Sequence, residues 1–493
     1  MSKNRGVVAA GHPLTANAGA QVLRDGGNAV DAAVCAMLTS FVAESPLTGL
    51  ASGGFMLVHT PSGEDHLLDF FVASPSKIAP SSTQVPIEVD FDGALQTFYC
   101  GPASCGVYGS VAGVCEAAQR FGSIALSDLA APAIELARNG VETTQMHEFL
   151  YQVLDPILTR WPECCELYAA NGHTPRVGEK LRLSEVGLAI ERLAQEGPEP
   201  FYSGEIAAAV SDWVLDRGGT ITRKDLADYA VVDRPVGSID YRGLKVVTNP
   251  PPSSGGILVA GSLKRLAAFE QHGLREMVDA IGAANAARTE QFTQGLTEDG
   301  FFDRFIQSDA IGSTTHISVL DANGMAVSVT CSNGCGSGIA VPGTGMVLNN
   351  MLGEADLHPH GVDAATPGAR ITSMMAPTVV LEDGQPMLVL GSAGSNRIRS
   401  AILQVIANVV DHGMSIEQAV VAPRIHFEAG VVQAEPGLDQ NELGLLEAAG
   451  FPVVQWQQRN LFFGGCQAAG LDHRTGEIAG AGDPRRGGAA VLV

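Results

Sequence analysis

The chain has 493 residues, 45% of them apolar and only 17% charged, a balance that excludes intrinsic disorder and fits a packed globular enzyme with many tight turns at its 58 glycines. That length exceeds what one small hydrophobic core serves, so a single large layered unit or two intertwined halves is expected. A formal net charge of -23 repels phosphate backbones and anionic lipid headgroups, which argues against nucleic-acid and membrane-surface partners.

At the amino terminus, Lys3 and Arg5 precede an apolar stretch broken by Gly6, Gly11, His12 and Pro13, so no signal-peptide core is expected there. No uninterrupted apolar segment elsewhere is long enough to span a bilayer, and a cytoplasmic location is the expectation. The nine cysteines are scattered without a CxxC pair, as free thiols in a reducing compartment would be.

Gly6 to Ala10 reads as a short strand. A helical pattern runs from Thr15 through Leu23 to the stop at Gly26-Gly27, and Asn28 to Val42 reads as a second helix, apolar on nearly every turn and therefore buried. Gly49 to Val58 passes from a glycine turn into a strand, answered by Leu67 to Val72 as a hairpin partner. Ser110 to Val141 is helical again, with Pro132 placed where a new helix would begin. Thr222 to Tyr229 is a capped short helix, and Tyr241 to Thr248 a strand running into the rigid turn Pro250 to Gly256. From Ala267 to Ile311 the pattern predicts helices and an exposed loop approaching a cleavage point.

Past Ser313 the texture changes. His316 to Leu320 and Met325 to Thr330 form a hairpin about Asp321-Ala322-Asn323-Gly324, and further strands are expected at Thr378 to Leu381, Met387 to Leu390 and Val431 to Gln433. Helices follow at Ser400 to Val410 and Ser415 to Val421. A four-layer αββα sandwich, an α/β (α+β) fold with two stacked sheets and helices on both outer faces, satisfies this order.

A threonine hydroxyl is a weak nucleophile unless a base sits beside it, and freeing the residue's own α-amino group supplies one that titrates near ~8. Gly312-Ser313-Thr314-Thr315-His316 has the parts: a small pair precedes a Thr that opens a predicted central strand. The run Thr314 to Val319, then Gly336-Ser337-Gly338, and Pro342-Gly343-Thr344-Gly345 through Leu348-Asn349-Asn350 resemble the small-subunit start of γ-glutamyltransferases of the N-terminal-nucleophile hydrolase superfamily. Gly26 to Ala33, Gly53-Gly54-Phe55, Asp225 to Tyr229, Pro251 to Gly256, Ala376-Pro377-Thr378 and Ala422-Pro423-Arg424 extend the similarity in order over nearly the whole chain.

The resemblance implies that the precursor cuts its own Ser313-Thr314 bond. Residues 1–313 would then form a large subunit and 314–493 a small one, still associated in one αββα unit, with Thr314 as the nucleophile. Gly391 to Arg397 is similar to the family's GSPGGSR turn, which makes the backbone amides of Gly394 and Ser395 the expected oxyanion donors, although one glycine of the usual pair is here a serine. By the same matching Ser332 would bond the nucleophile, and Asn333 would meet the substrate's α-carboxylate or amine, in a loop two residues shorter than usual. Glu354 or Asp356, the latter favoured, would hold its ammonium, and Thr372 and Ser373 would donate to its carboxylate.

The largest departure is at Asp69-Phe70-Phe71-Val72, where typical members read DFRE and the arginine clamps the glutamyl carboxylate. Phe71 in its place should cost a glutamyl substrate roughly 2 to 4 kcal/mol. The expected donor therefore lacks that carboxylate, holds it elsewhere, or rests a flat apolar face on Phe71.

The glycine runs at Gly53 and Gly255 lack the lysine or the spacing of a nucleotide cradle, and His358-Pro359-His360 lacks converging metal ligands, so no cofactor and no metal are expected. His316 reads as a packing residue. The implied activity is acyl transfer from a small-molecule donor to water or an amine, as in glutathione metabolism. The alternatives are a specialised relative, similar to glutaryl-cephalosporin acylases or to the homologues that cleave C-C bonds in alkylproline antibiotic pathways, and an uncut scaffold. A homo-oligomer of cleaved heterodimers is compatible with the resemblance.

Overall fold

The computed structural model describes residues 5–90, 95–286, 292, 296, 301, 315–358, 361–473 and 475–493. Two sheets dominate it. The first takes strands β1 (Gly6–Ala10), β2 (Gly53–His59), β3 (Asp65–Phe70) and β4 (Val232–Arg234) from the first part of the chain. It takes β7 (Thr315–Asp321), β8 (Ala326–Ser332) and β13 (Ala489–Leu492) from the last part, in the order β13-β1-β7-β8-β2-β3-β4. The second sheet joins β5 (Gly237–Tyr241) and β6 (Leu244–Thr248) to β9 (Thr378–Glu382), β10 (Gln385–Ala393), β11 (Gly465–Asp472) and β12 (Glu477–Ala481), in the order β12-β11-β10-β9-β6-β5.

The sheets stack face to face, β7 and β8 against β10 and β11, and the alternation along each strand sorts the side chains. Phe55, Leu57 and Leu320 point between the sheets to meet Val379 and Val389, while Met56, Val58, Ile317 and Val319 point outward onto helices. On that outer face lie α1 (Pro13–Arg24) and α2 (Ala29–Ala43). All fifteen residues of α2 are buried, as its all-round apolar sequence requires, and its start is fixed by a capping box between Asn28 and Asp31. The second sheet is covered by α7 (Arg397–Val410), with α6 (Gly255–Leu266) packed on it. The result is the expected αββα order of layers.

Two local expectations are corrected. Pro132 does not open a helix: α3 (Ser110–Phe121) is followed by α4 (Leu126–Asn139), which carries Pro132 in its interior. The buried stripe Leu129, Ala130, Ala133 and Ala137 outweighs the one backbone hydrogen bond that the proline forfeits. The segment from Tyr241 to Thr248 is interrupted by a turn at Arg242-Gly243, both at positive φ, so Tyr241 closes β5 and only Leu244–Thr248 forms β6. Strands β11, β12 and β13, rich in Gly and Ala, carry no alternation that marks them in sequence. The short helix at Thr222 is α5 (Arg223–Ala227), capped reciprocally by Thr222 and Asp225, and Ser415 caps α8 (Ile416–Val421) in the same way. Of the run from Ala267 to Ile311, the structure shows a helix over Leu274–Ala286. Among the described residues no helix is long and apolar enough to cross a membrane.

Candidate active site

Thr314 and Ser313, the proposed nucleophile and its neighbour, lie outside the described residues, which resume at Thr315 with β7. What the structure defines is the setting of that strand's first turn. Thr315 donates its hydroxyl to Glu44 Oε2 at 2.9 Å, and Thr15 donates to Oε1 at 2.7 Å. Glu44 follows the last turn of α2 and is buried, so one carboxylate ties the starts of α1 and β7 to the end of α2. Burial pushes its pKa up to about 6, against the pull of the two hydroxyl donors.

One residue on, His316 points to the other face of the sheet. A Cβ on Gly391 would lie 2.5 Å from its Nδ1, so only glycine lets β10 approach the ring this closely. Ser318 donates to the carbonyl of Gln467 at 3.1 Å, which leaves its oxygen to accept from His316 Nε2 at 2.9 Å. Nδ1 then accepts from Thr330 at 2.8 Å. Burial holds the imidazole pKa down to about 3, so it is neutral at working pH. His316 is a packing residue, as the sequence suggests.

Strand β8 ends beside the start of β7, with Cys331 paired to Thr315. There Ser332 Oγ accepts from the Gly334 amide at 2.7 Å. Asn333 is 1% exposed and donates through Nδ2 to Val347, while its Oδ1 has no partner among the described residues, leaving a buried acceptor. Glu354 Oε1 accepts from the Cys335 amide at 3.0 Å. Burial raises the pKa of Glu354 to about 7, and the neighbouring Asp356 adds to the rise.

Asp356 connects this group to the turn after β10. It accepts from Ser395 Oγ at 2.7 Å. Gly394 has φ 120° and Ser395 φ 56°, the latter an unusual conformation for a side-chain-bearing residue. Neither of their successive amides donates to another described residue, and α7 begins two residues on, adding the positive end of its dipole. A Cβ on Gly394 would stand 2.7 Å from the Cα of Gly464. Further along, Thr372 donates to the carbonyl of Leu357 at 2.8 Å, and Ser373 Oγ accepts from the Met375 amide at 3.1 Å.

Ser332, Asn333, Glu354, Asp356, Gly394 and Ser395 are thus brought into one neighbourhood at the head of β7. Thr372 lines a separate cleft with Ser74 and His358. Phe71 is packed between the sheets, 1% exposed and stacked on Phe55 at 5.5 Å, so it offers no open face. The preceding Asp69 is fully buried and paired with Arg234 at 2.6 Å and Arg370 at 3.3 Å. His358 spends Nε2 on the carbonyl of Met351, and Pro359 and His360 lie outside the described residues.

Two features escaped sequence reasoning. Glu44 is one, and Arg486 is the other. A cavity beside Thr315 is walled by Gly11, Glu44, His147, Ala393, Gln467 and Arg486. The sequence near Arg486, Asp483-Pro484-Arg485-Arg486, carries a charge signal but not its destination.

The sequence profile of the family described as gamma-glutamyltranspeptidase matches residues 15–299 and 293–493. The chain is 31% identical to the acylase ACY 1 proenzyme of Pseudomonas sp. (strain SE83), over 92% of this chain and 88% of that one. It is 30% identical to the glutathione hydrolase proenzyme of Escherichia coli (strain K12), over 98% and 90%. Among solved structures it is similar to a cephalosporin acylase from Bacillus halodurans, with a TM-score of 0.87 at 26% identity, covering 99% of this chain and 96% of that one.

Proposed function

Because this chain is an enzyme of the γ-glutamyltranspeptidase family, we propose that it breaks its own Ser313-Thr314 bond and then carries an acyl group on Thr314. In maturation Thr314 Oγ attacks the carbonyl of Ser313 and the C–N bond breaks, which frees the α-amine of Thr314 and leaves an ester that water then opens, returning the hydroxyl and separating the two segments. Segments 1–313 and 314–493 would stay together, since β1 lies between β13 and β7, and β7 and β8 lie between β1 and β2.

In turnover the freed amine takes the hydroxyl proton as Oγ attacks the donor's carbonyl. The oxyanion forms against the amides of Gly394 and Ser395, the departing amine takes the proton, and water or an acceptor amine resolves the ester. Ser332 steadies the nucleophile, and Asn333 Oδ1 with Asp356 or Glu354 receives an ammonium on the donor or acceptor. Thr372, committed to the Leu357 carbonyl in a separate cleft, takes no part in holding the donor. The observation that carries this mechanism is the pair of uncommitted consecutive amides at Gly394 and Ser395, both at positive φ, beside the cavity at the head of β7.

A second assignment, acylase action on a non-glutamyl donor, is favoured by Phe71. An aromatic ring stacked into the core stands where the family's glutamyl clamp would be. The test is a denaturing gel with amino-terminal sequencing of the parent and Thr314→Ala, followed by turnover of γ-glutamyl, glutaryl and oxalyl-type donors. Two fragments meeting at Thr314 in the parent alone are expected. An active parent without a new chain start at Thr314 would overturn the assignment.

A further inference from the structure

If position 71 has lost the family's arginine, a donor carboxylate needs another cation, and the cavity wall beside Thr315 holds one. Arg486 runs its side chain along Gly465, where a Cβ would come within 2.5 Å of its Cδ. Its Nη2 then lies 3.2 Å from the point a Cβ on Gly394 would occupy, against the turn with the two uncommitted amides.

The neighbouring arginines each have a partner. Arg424 reaches Asp483 and the carbonyls of Val420 and Phe463, Arg485 pairs with Glu435 and Asp483, and Arg397 donates to the Phe462 carbonyl and lies over that ring. Arg486 differs. Its guanidinium has no hydrogen bond or ion pair among the described residues, and its Nε is buried. Asp483 and Glu44 act on its charge but form no ion pair with it, Asp483 being held by Arg424 and Arg485 and Glu44 by Thr15 and Thr315. Burial, with Arg397 nearby, moves its pKa down to about 10, still cationic at working pH. A cation kept partly out of water without a partner is costly unless an anion arrives to pair with it.

We propose that Arg486 is a specificity-determining residue that grips the free carboxylate of the acyl donor at the cavity wall beside the Gly394-Ser395 turn, in place of the arginine absent at position 71. The donor class is a dicarboxylic monoacyl group, activated at one end and ionised at the other. This inference rests on the acyl-transfer mechanism proposed above and adds to it the group that selects the donor.

The experiment compares matured parent, Arg486→Met and Arg486→Lys on glutaryl and pentanoyl 4-nitroanilide, five-carbon donors that differ only in a terminal carboxylate. In the parent, kcat/KM should favour the glutaryl donor. In Arg486→Met the glutaryl-to-pentanoyl ratio should fall by at least about tenfold, chiefly through KM, as loss of a charge-assisted contact demands. Arg486→Lys should keep an intermediate ratio. A ratio that stays within about threefold of the parent, or equal losses on both donors, would overturn the proposal. Inhibition of the parent by glutarate and by pentanoate gives a readout independent of folding in the variants: tighter glutarate binding is expected, and equal binding refutes. An uncut parent inert on both donors sinks the proposed function itself, whereas a cut, active parent without carboxylate preference sinks only the role of Arg486.

Discussion

Replacing Glu44 with glutamine isolates the carboxylate that ties α1, α2 and β7 together. Its pKa rises from an ordinary 4.5 to about 6 because burial disfavours the charge. A raised folded-state value means that the native state holds the proton more tightly than the unfolded chain. The resulting stability is fully present below pH 4.5 and is lost as pH climbs through about 6. A rise of that size corresponds to about 2 kcal/mol. The glutamine amide has no such titration, and it keeps the geometry, since one threonine hydroxyl still donates to its oxygen while the other turns to accept from its NH2. Urea unfolding of Glu44→Gln against its parent, both carrying Thr314→Ala so that an uncut chain is compared, should be followed from about pH 4.5 to about pH 7.5. The difference in unfolding free energy should move in favour of the glutamine variant by about 2 kcal/mol over that interval. Curves that stay parallel within about 0.5 kcal/mol would show that Glu44 titrates alike in the folded and unfolded chain, and the account of the strand's anchor would fail.

Gly394→Ala places a Cβ 2.7 Å from Gly464 in a backbone at φ 120°, so the turn must shift and its amides with it. A fall in kcat of about 100-fold or more is expected on any donor, and a near-parental kcat would remove the turn from the mechanism. Asp483→Asn breaks a fully buried carboxylate away from Arg424 at 2.7 Å and Arg485 at 3.1 Å, and urea unfolding at about pH 7 should show a loss of about 3 to 5 kcal/mol. Burial alone would raise the carboxyl pKa, but the two arginines together with the amides of Arg485 and Cys466 outweigh it and hold it below 3.8. The carboxylate's contribution is thus present above that pH and lost as pH falls, and the gap between the variant and its parent should narrow in acid.

The pieces with local signals were legible in residue order. The Asn28, Thr222 and Ser415 caps each sit three residues before their partner, the Asp321 to Gly324 turn lies between two alternating runs, and the Gly391 to Arg397 motif marks a glycine turn into a helix. Those features depend on neighbours in the chain, so residue order alone exposes them, and ordered motifs supply the family. It took the folded chain to bring Glu44 to Thr315 from 271 residues away and to turn Phe71 into the core rather than a cleft. It alone also brings Arg486 against Gly394. Pro132 remained inside a helix because a buried stripe prevailed over a local preference. Contacts of this kind form where two sheets and their helices close on one another. Their energy comes from burial and pairing across distant segments, which leaves no period or spacing in the chain to be read beforehand.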